Sequence, residues 1–234
     1  MGRMTTMLIT GANKGLGRET ARRLIAAGHD VWMAARDPRR GREAADALGG
    51  RFVALDVTDD ASVAAARRTV EETSGGLDVL VNNAGITGDR VSVAETTAAH
   101  VDAVFATNVL GPVRVLHAFA PLLTRSDTGV VVNVSSGMGS MAITSDPERL
   151  ESGIVALGYP ASKAALNMLT TQYAKAYPDL RVNCVDPGYT ATDLNDNTGT
   201  QTVEEGTEVI VRMAQVGPDG PTGRFFDARG EVPW

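Results

Sequence analysis

The sequence has little cysteine, little histidine and no long apolar run, and each scarcity excludes something. A single cysteine, Cys184, excludes a disulfide within the chain and suits a reducing compartment, so a cytoplasmic location is expected. The three histidines, His29, His100 and His117, are scattered without acidic residues or cysteine at ligand spacing, so no metal site is predicted. No apolar run reaches the roughly 20 residues that a membrane-spanning helix needs.

Charge and size narrow the class further. A formal net charge of −6 at pH 7 argues against nucleic acid or an anionic membrane surface as a partner, and neither is predicted. The 234 residues, 43% of them hydrophobic, are enough for one α/β domain with a sizeable core and too few for two. Because no linker, repeat or low-complexity tract is visible, residues 1–234 are expected to form a single domain.

Strand and helix patterns alternate along the whole chain. The segments Leu77–Val81 and Gly129–Val134 are continuously apolar, as in strands that are buried on both faces of a parallel sheet. Further strands are predicted at 7–9, 29–35, 52–55 and 180–185, and helices at 18–24, 39–48, 61–73, 160–176 and 203–214, with one or two more between 97 and 123. This alternation predicts an α/β fold, a doubly wound parallel sheet of the Rossmann type with helices on both faces and ligands at the carboxyl ends of the strands.

The stretch from Thr10 to Gly17 reads Thr-Gly-Ala-Asn-Lys-Gly-Leu-Gly, between an apolar strand and a helix-favouring segment. Glycines let backbone amides approach a pyrophosphate, and the helix N-terminus adds a partial positive charge. The spacing Gly-x-x-x-Gly-x-Gly differs from the common dinucleotide fingerprint, and an ordinary strand-to-helix turn is the alternative. We therefore predict a phosphate-binding loop here, with support sought elsewhere in the chain.

Tyr159 and Lys163 are the second candidate for chemistry. Residues four apart lie on one face of a helix, so the ammonium is expected beneath the phenol and is expected to lower its pKa for proton transfer. Coincidence on an amphipathic helix is the alternative. The chain has only three lysines, however, against nineteen arginines, and Lys14 and Lys163 lie in these two motifs. This distribution favours a functional pair.

Together the motifs resemble those of the classical short-chain dehydrogenase/reductases, and the resemblance covers essentially the whole chain. The shared motifs occur in family order: Thr10-Gly11-x-x-x-Gly15-x-Gly17, Asn82-Asn83-Ala84-Gly85, a serine pair after Val132-Asn133-Val134, Tyr159-x-x-x-Lys163 and Pro187-Gly188. Within the family, Asn13-Lys14-Gly15, Ala35-Arg36-Asp37, Arg40-Gly41, Pro187-Gly188-Tyr189 and the final Trp234 look most like the carbonyl reductase branch.

The resemblance implies a catalytic tetrad. Tyr159 would protonate the carbonyl oxygen, and Lys163 would lower the pKa of Tyr159 and hold the nicotinamide ribose. Ser136, rather than Ser135, would hydrogen-bond the substrate oxygen, a choice that rests on motif alignment and on strand alternation. Asn108 would position Lys163 through a water. A strand-end cap for the serines and a helix-interrupting amide for Asn108 are the structural alternatives.

The residue after the second strand bears on the cofactor. An acidic residue there selects NAD, whereas an arginine accepts a 2′-phosphate. Arg36 and Arg40, with Lys14 from the glycine loop, favour NADP(H), although Asp37 could oppose the phosphate and the whole run could be a solvated charged face. The resemblance implies further cofactor contacts at Gly11, Asn13, Gly15, Leu16, Gly17, Asp56, Val57, Asn83, Ala84, Gly85, Tyr159, Lys163, Pro187, Gly188, Thr190 and Thr192.

Three functions remain open. The first is NADPH-dependent, reversible reduction of a ketone or aldehyde, with a small-molecule carbonyl or alcohol as partner. The others are an NAD-linked alcohol dehydrogenase and a non-catalytic dinucleotide-binding redox sensor. The substrate loop is expected at about 189–215. Extra polar residues at 146–151, between the serine pair and Tyr159, lie where subunit packing is affected in carbonyl reductases, so both a homodimer and a monomer stay possible.

Overall fold

A seven-stranded parallel sheet forms the centre of the computed structural model, which describes residues 5–234. Its strands are β1 (Thr6–Thr10), β2 (Asp30–Ala35), β3 (Arg51–Ala54), β4 (Val79–Asn82), β5 (Val130–Val134), β6 (Arg181–Val185) and β7 (Phe225–Phe226). They lie side by side in the order β3-β2-β1-β4-β5-β6-β7, and every neighbouring pair is parallel. The predicted α/β fold of the Rossmann type is confirmed.

Helices cover both faces of this sheet. They are α1 (Gly15–Ala26), α2 (Pro38–Leu48), α3 (Asp60–Ser74), α4 (Ala98–Asn108), α5 (Leu110–Leu123), α6 (Met141–Ser145), α7 (Gly158–Ala176) and α8 (Val203–Ala214). Helices α1, α2 and α8 bury apolar side chains against one face, and α3 and α5 against the other. In β1, Leu8 packs on one side while Met7 and Ile9 pack on the other, which explains why the central strands are apolar without alternation.

The sheet order determines where a ligand can bind. From β1 the chain proceeds outward to β2 and β3, then returns to β4 on the other side of β1. The crossover connections at β1 and β4 therefore leave in opposite directions and open a crevice beyond the carboxyl ends of these strands. The glycine-rich loop follows β1, and the segment Asn83–Gly85 follows β4, so both predicted motifs meet at this crevice.

The structure differs from the sequence-based prediction, or adds to it, in several details, among them the unpredicted short helix α6. The two-residue strand β7 was not predicted, because two residues show no periodicity; it pairs with β6 through Cys184–Phe225 and Val185–Phe226. Helix α7 begins at Gly158 rather than Pro160, so Tyr159 lies in its first turn. The extra polar residues contribute a short 3₁₀ turn, Leu150–Gly153.

Helices α4 and α5 follow each other with only Val109 between them. The combined segment Ala98–Leu123 has 26 residues and a window of mean hydropathy 1.3, so by length and composition alone it is sufficient to cross a membrane. Half of that window is buried inside the fold, where Val115, Leu116 and Phe119 join the core. Such burial is typical of a core helix in a globular protein.

Candidate active site

A cleft of about 660 Å³ lies beyond the carboxyl ends of the strands, and its lining residues follow β1 to β6. Of the residues predicted from the sequence, the cleft is lined by Gly11, Asn13, Lys14, Gly15, Leu16, Gly17, Arg36, Asp56, Val57, Asn83, Ala84, Gly85, Tyr159, Lys163, Pro187 and Thr192. The predicted residues that do not line it are Arg40, Asn108, Ser136, Gly188 and Thr190. Most of the expected site is therefore gathered around one cavity.

The glycine-rich loop is packed directly against the turn that follows β4. A Cβ atom added at Gly17 would lie 2.4 Å from Asn83 Nδ2 and 2.7 Å from the Gly11 carbonyl oxygen, which no side chain can tolerate. Gly11 has φ +65°, a left-handed conformation that glycine adopts at little cost. Asn83 donates from Nδ2 to the Thr10 carbonyl at 2.8 Å and so fastens the loop to this turn. The close approach of the loop to this turn explains why glycine is required at position 17, and the left-handed conformation explains glycine at position 11.

The amino end of α1 is left without a side-chain cap. Lys14 precedes the helix in an extended conformation and makes no capping hydrogen bond, and the first turn contains no acidic residue. The first backbone N–H groups of a helix lack partners within the helix, and the helix dipole places positive charge beside them. An uncapped helix end behind a glycine loop fits the pyrophosphate of a dinucleotide.

The charged run after β2 is ordered by helix α2. Asp37 caps the helix, its Oδ1 accepting from the backbone N–H of Arg39 at 2.9 Å and of Arg40 at 3.1 Å. These hydrogen bonds, first the one from Arg40, lower the pKa of Asp37. Arg40 Nε lies 3.6 Å from Asp37 Oδ2, and Arg40 does not line the cleft. The cap directs the Asp37 carboxylate to the backbone of α2 and leaves Arg36 as the basic residue of this run that lines the cleft.

Asp56 and Val57 follow β3 at the same end of the cleft. Asp56 Oδ1 accepts from the backbone N–H and the hydroxyl of Thr58 at 2.9 and 2.7 Å. Burial opposes ionisation of this carboxyl, but the Thr58 hydrogen bonds and the charge of Arg36 outweigh burial and lower the pKa of Asp56. The carboxylate is therefore ionised and held in a fixed orientation beside Arg36.

Lys14 has a partner that sequence analysis did not identify. Its Nζ lies 2.9 Å from Asp193 Oδ2, and Asp193 itself lines the cleft. Asp193 belongs to the segment after β6, so this ion pair joins the two sides of the cleft opening.

Tyr159 and Lys163 are brought together at the other end of the cleft. They lie one turn apart on α7, and Lys163 Nζ is 5.5 Å from the centre of the Tyr159 ring. The ammonium is buried and donates to the Val134 carbonyl at 2.8 Å, so α7 is tied to the end of β5. Both side chains line the cleft, as predicted from their spacing.

The proton affinities of this pair differ from the sequence-based expectation. Burial raises the pKa of Tyr159 to about 12, an effect that a hydrogen bond with Ser136 reduces and the charge of Asp186 increases. Burial also lowers the pKa of Lys163 to about 8. In the chain alone the pKa of Tyr159 is therefore raised rather than lowered, and a lowering of this pKa by Lys163 stays a prediction. Burial disfavours the phenolate of Tyr159 and the ammonium of Lys163 alike, because both are charged forms.

The two serines after β5 have different surroundings. Ser135 is buried, and its hydroxyl donates to Asn167 Oδ1 at 2.6 Å. Ser136 is partly exposed and shares a hydrogen bond with Tyr159, and its Oγ accepts from the Met138 N–H at 3.2 Å. Although Ser135 and not Ser136 borders the cleft, it is Ser136 that contacts the phenol. The choice of Ser136 as the serine that binds the substrate oxygen stays a prediction.

Asn108 connects the turn after β4 to α7. Its side chain accepts from the Ile86 N–H at 2.9 Å and donates to the Ile86 carbonyl at 2.8 Å and to Ser162 Oγ at 3.0 Å. The residue is buried at the end of α4. Its amide thus holds Ile86, which lines the cleft, in a fixed position; the predicted water link to Lys163 stays a prediction.

The turn after β6 has the predicted residues in two settings. Pro187 and Thr192 line the cleft, whereas Gly188 and Thr190 lie behind it. Thr190 is buried and donates to the Pro187 carbonyl at 3.0 Å. Gln201 also donates to that carbonyl. Gly188 and Thr190 therefore shape the turn that presents Pro187.

Several lining residues were not predicted. They are Leu55, Thr58, Ile86, Thr87, Gly88, Asp89, Thr107, Val134 and Ser135, whereas the further lining residues Asp193 and Leu194 belong to the predicted substrate loop. A second, smaller cavity adjoins Tyr159 on the side of His100, Val104 and Leu157. Most of these residues lie in loops, where no periodicity identifies a side chain that faces the cleft. Among residues 5–234, no group of three or more His, Cys, Asp or Glu side chains is placed to hold a metal ion.

Comparison with known proteins agrees with this geometry. Residues 5–203 match the family model described as short chain dehydrogenase. The chain is 34% identical to (+)-neomenthol dehydrogenase of Arabidopsis thaliana, covering 95% of each chain, and 33% identical to carbonyl reductase [NADPH] 1 of Pongo abelii, covering 99% of each. The solved structure of NADPH-bound carbonyl reductase from chicken fatty liver superposes with a TM-score of 0.88, at 29% identity and 100% coverage of both chains.

The relatives contain residues that this chain lacks, since the alignment with the Arabidopsis protein extends over 283 positions and the chain has 234 residues. The motifs of the cleft are nevertheless retained in order. The family match, the relatives and the Rossmann sheet agree with one another, and this chain is an oxidoreductase that belongs to the short-chain dehydrogenase family.

Proposed function

We propose that this protein reduces a ketone or an aldehyde to the alcohol, reversibly, with NADPH as cofactor and Tyr159 as the acid. The observation that carries the proposal is the pairing of Tyr159 with Lys163 at the end of a cleft that also contains the glycine loop and Arg36. Relatives named carbonyl reductase and neomenthol dehydrogenase support carbonyl reduction as the reaction class.

Reduction requires the protonated form of Tyr159. With a pKa of about 12, Tyr159 holds its proton throughout the neutral range and is ready to donate it. A bound nicotinamide cofactor would supply the hydride that the carbonyl carbon gains. The carbonyl oxygen would gain the phenolic proton, while the Ser136 hydroxyl orients the phenol and the positive charge of Lys163 stabilises the phenolate that is left.

The cofactor would lie along the whole cleft. The glycine loop and the uncapped end of α1 would bind the pyrophosphate, and Asp56 with Val57 would contact the adenine. Asn83–Gly85 would support the ribose, and Pro187 with Thr192 would meet the carboxamide side. At the adenosine end Arg36 lines the cleft, with Asp37 directed into its helix cap, and this arrangement supports a 2′-phosphate and hence NADP(H).

The decisive experiment is a panel of aldehydes, ketones and quinones, each followed by the absorbance of NADPH and, separately, of NADH. We expect turnover with NADPH, and a loss of about 10²- to 10⁴-fold in kcat in Tyr159→Phe with little change in NADPH affinity. Tyr173→Phe, on the same helix α7 but away from the lining of the cleft, is the matched control and should keep its rate.

Other outcomes would support other functions. Preference for NADH would favour an NAD-linked alcohol dehydrogenase, and Arg36→Asp would then change little. Binding of NADPH without turnover of any carbonyl would favour a non-catalytic sensor. A rate in Tyr159→Phe close to that of the unmodified protein would remove Tyr159 as the acid. The proposal also includes a cytoplasmic location. The protein would act on a small-molecule carbonyl or alcohol, either as a monomer or as a homodimer.

A further inference from the structure

The opening of the cleft is crossed by an ion pair between its two sides. Lys14 Nζ, in the glycine loop, lies 2.9 Å from Asp193 Oδ2 in the segment after β6, and both residues line the cleft. The two segments lie close together here, since a Cβ added at Gly15 would be 3.6 Å from Thr192 Cγ2. Asp193 is therefore a carboxylate held against Lys14, which the sequence analysis groups with Arg36 and Arg40 as a cation for the cofactor 2′-phosphate.

Asp193 is surrounded by positive charge. The hydrogen bond and the charge of Lys14, together with the charge of Arg40, lower its pKa, so the carboxylate is ionised at neutral pH. A 2′-phosphate at this end of the cleft would be attracted by Lys14 together with Arg36, both of which line the cleft. The carboxylate and the phosphate cannot both occupy the position in front of the single Lys14 ammonium without repelling each other.

We propose that Asp193 is a specificity-determining residue, whose carboxylate competes with the cofactor 2′-phosphate for Lys14 and so weakens binding of NADP(H) relative to NAD(H). The inference rests on the proposed NADP(H) function. Its consequence is opposite to the ordinary one for a residue that lines a binding cleft: removing the charge of Asp193 strengthens binding.

A second ion pair in the same segment provides a matched control. Arg90 Nη1 lies 2.7 Å from Asp196 Oδ2, and the side chains are 67% and 69% exposed, compared with 59% and 63% for Lys14 and Asp193. Neither Arg90 nor Asp196 lines the cleft. Asp196→Asn thus removes the same charge, from the same segment and at similar exposure, without touching Lys14.

The test measures binding of two fragments by calorimetry, adenosine 2′,5′-bisphosphate and AMP, which differ in the 2′-phosphate and lack the nicotinamide. Asp193→Asn should bind the bisphosphate about fivefold more tightly, because loss of an exposed ion pair and of a repelling charge gives effects of this size. Its affinity for AMP should stay within about twofold, and Asp196→Asn should match the unmodified protein for both ligands. Thermal unfolding of each variant checks that the fold is retained.

Lys14 closes the thermodynamic cycle. In a Lys14→Met background, Asp193→Asn should no longer change bisphosphate affinity, because the competed cation is gone. Weaker or unchanged bisphosphate binding in Asp193→Asn, or an equal gain for AMP, would overturn the competition. If the unmodified protein binds both fragments equally, the NADP(H) assignment fails, and the inference fails with it. If it prefers the bisphosphate while Asp193→Asn has no effect, only the inference fails.

Discussion

The two lysines of the cleft show how differently its ends are built. Lys163 is 5% exposed, donates to a backbone carbonyl and has a pKa of about 8 because burial disfavours its charge. Lys14 has a side chain that is 59% exposed and is paired with the carboxylate of Asp193. One end of the cleft therefore holds charge at a cost to folding, and the other holds it in solvent.

This difference explains what each end can do. In a buried environment an ammonium and a phenol influence each other strongly, since the low effective dielectric preserves their interaction, and this suits proton transfer. In solvent, salt and water weaken each ionic contact, so several cations are needed to recognise a phosphate. Variants at the buried end should change stability by kilocalories, whereas variants at the exposed end should change affinity by small, salt-dependent factors.

The largest effect on stability is expected at Asn108, whose neutral hydrogen bonds hold the buried end of the cleft together. Asn108→Ala leaves the N–H and the carbonyl of Ile86 without their partner, and we expect the free energy of unfolding to fall by about 3 kcal/mol. Chemical denaturation measures the change, with Gln172→Ala on the exposed surface as the control. Full stability in Asn108→Ala would show that these hydrogen bonds do not support the buried end.

Lys163→Met should stabilise the protein at pH 7 although it abolishes the proposed chemistry. The difference between a pKa of about 8 in the fold and 10.5 in the unfolded chain corresponds to about 3 kcal/mol, of which the lost hydrogen bond to Val134 removes about 1, leaving a gain of about 2.

The pH dependence of stability tests the sign of the change expected for Lys163→Met. Between pH 8 and 10.5 the unfolded chain binds more protons at Lys163 than the folded one, so the stability of the unmodified protein rises across this window and the advantage of Lys163→Met disappears. Thermal unfolding at pH 7 and pH 10.5 tests this. Gln172→Ala, an uncharged exposed position on the same helix, is the control and should leave the pH dependence of the unmodified protein unchanged. A Lys163→Met variant that is less stable at pH 7 would contradict the assigned cost of burial.

The same contrast explains what could be predicted from the sequence. The glycine loop, the strands and the Tyr159–Lys163 pair depend on local spacing, which the sequence displays directly. The pKa of Tyr159 does not depend on local spacing. The desolvation that raises it comes from the packing of α7 in the fold. Local spacing therefore predicts the contact, whereas the net direction of the pKa shift depends on burial by the rest of the fold.

Loop residues illustrate the second limit. Asp193 meets Lys14 across 179 positions, and neither residue lies in a pattern that indicates the pairing. The capping role of Asp37, however, can be predicted from the sequence, since an aspartate directly before Pro38 is a recognised signal for the start of a helix. The charge of Asp37 considered alone predicts only repulsion of the phosphate and does not indicate the cap.

At the exposed end, Arg36→Ala should weaken NADPH binding by about tenfold, the loss expected for one charge-assisted contact to phosphate. NADH affinity should be unchanged, because NADH lacks the 2′-phosphate. Fluorescence titration at low and at high salt sharpens the comparison. The difference in NADPH affinity between Arg36→Ala and the unmodified protein should shrink as salt screens the contact. Equal weakening of NADH would assign Arg36 to another part of the cofactor.

The smallest effect is expected at Asp37, where two roles of one carboxylate can be separated. Asp37→Ala removes the cap of α2 and should lower the free energy of unfolding by about 1 kcal/mol. Asp37→Asn removes the charge but keeps a capping oxygen, so it should lose only a few tenths of a kilocalorie per mole. Because the carboxylate is directed to the backbone of α2, neither variant should change NADPH affinity by more than about twofold. A large gain in affinity in Asp37→Asn alone would mean that Asp37 repels the phosphate after all, and that the exposed end contains two opposing carboxylates rather than Asp193 alone.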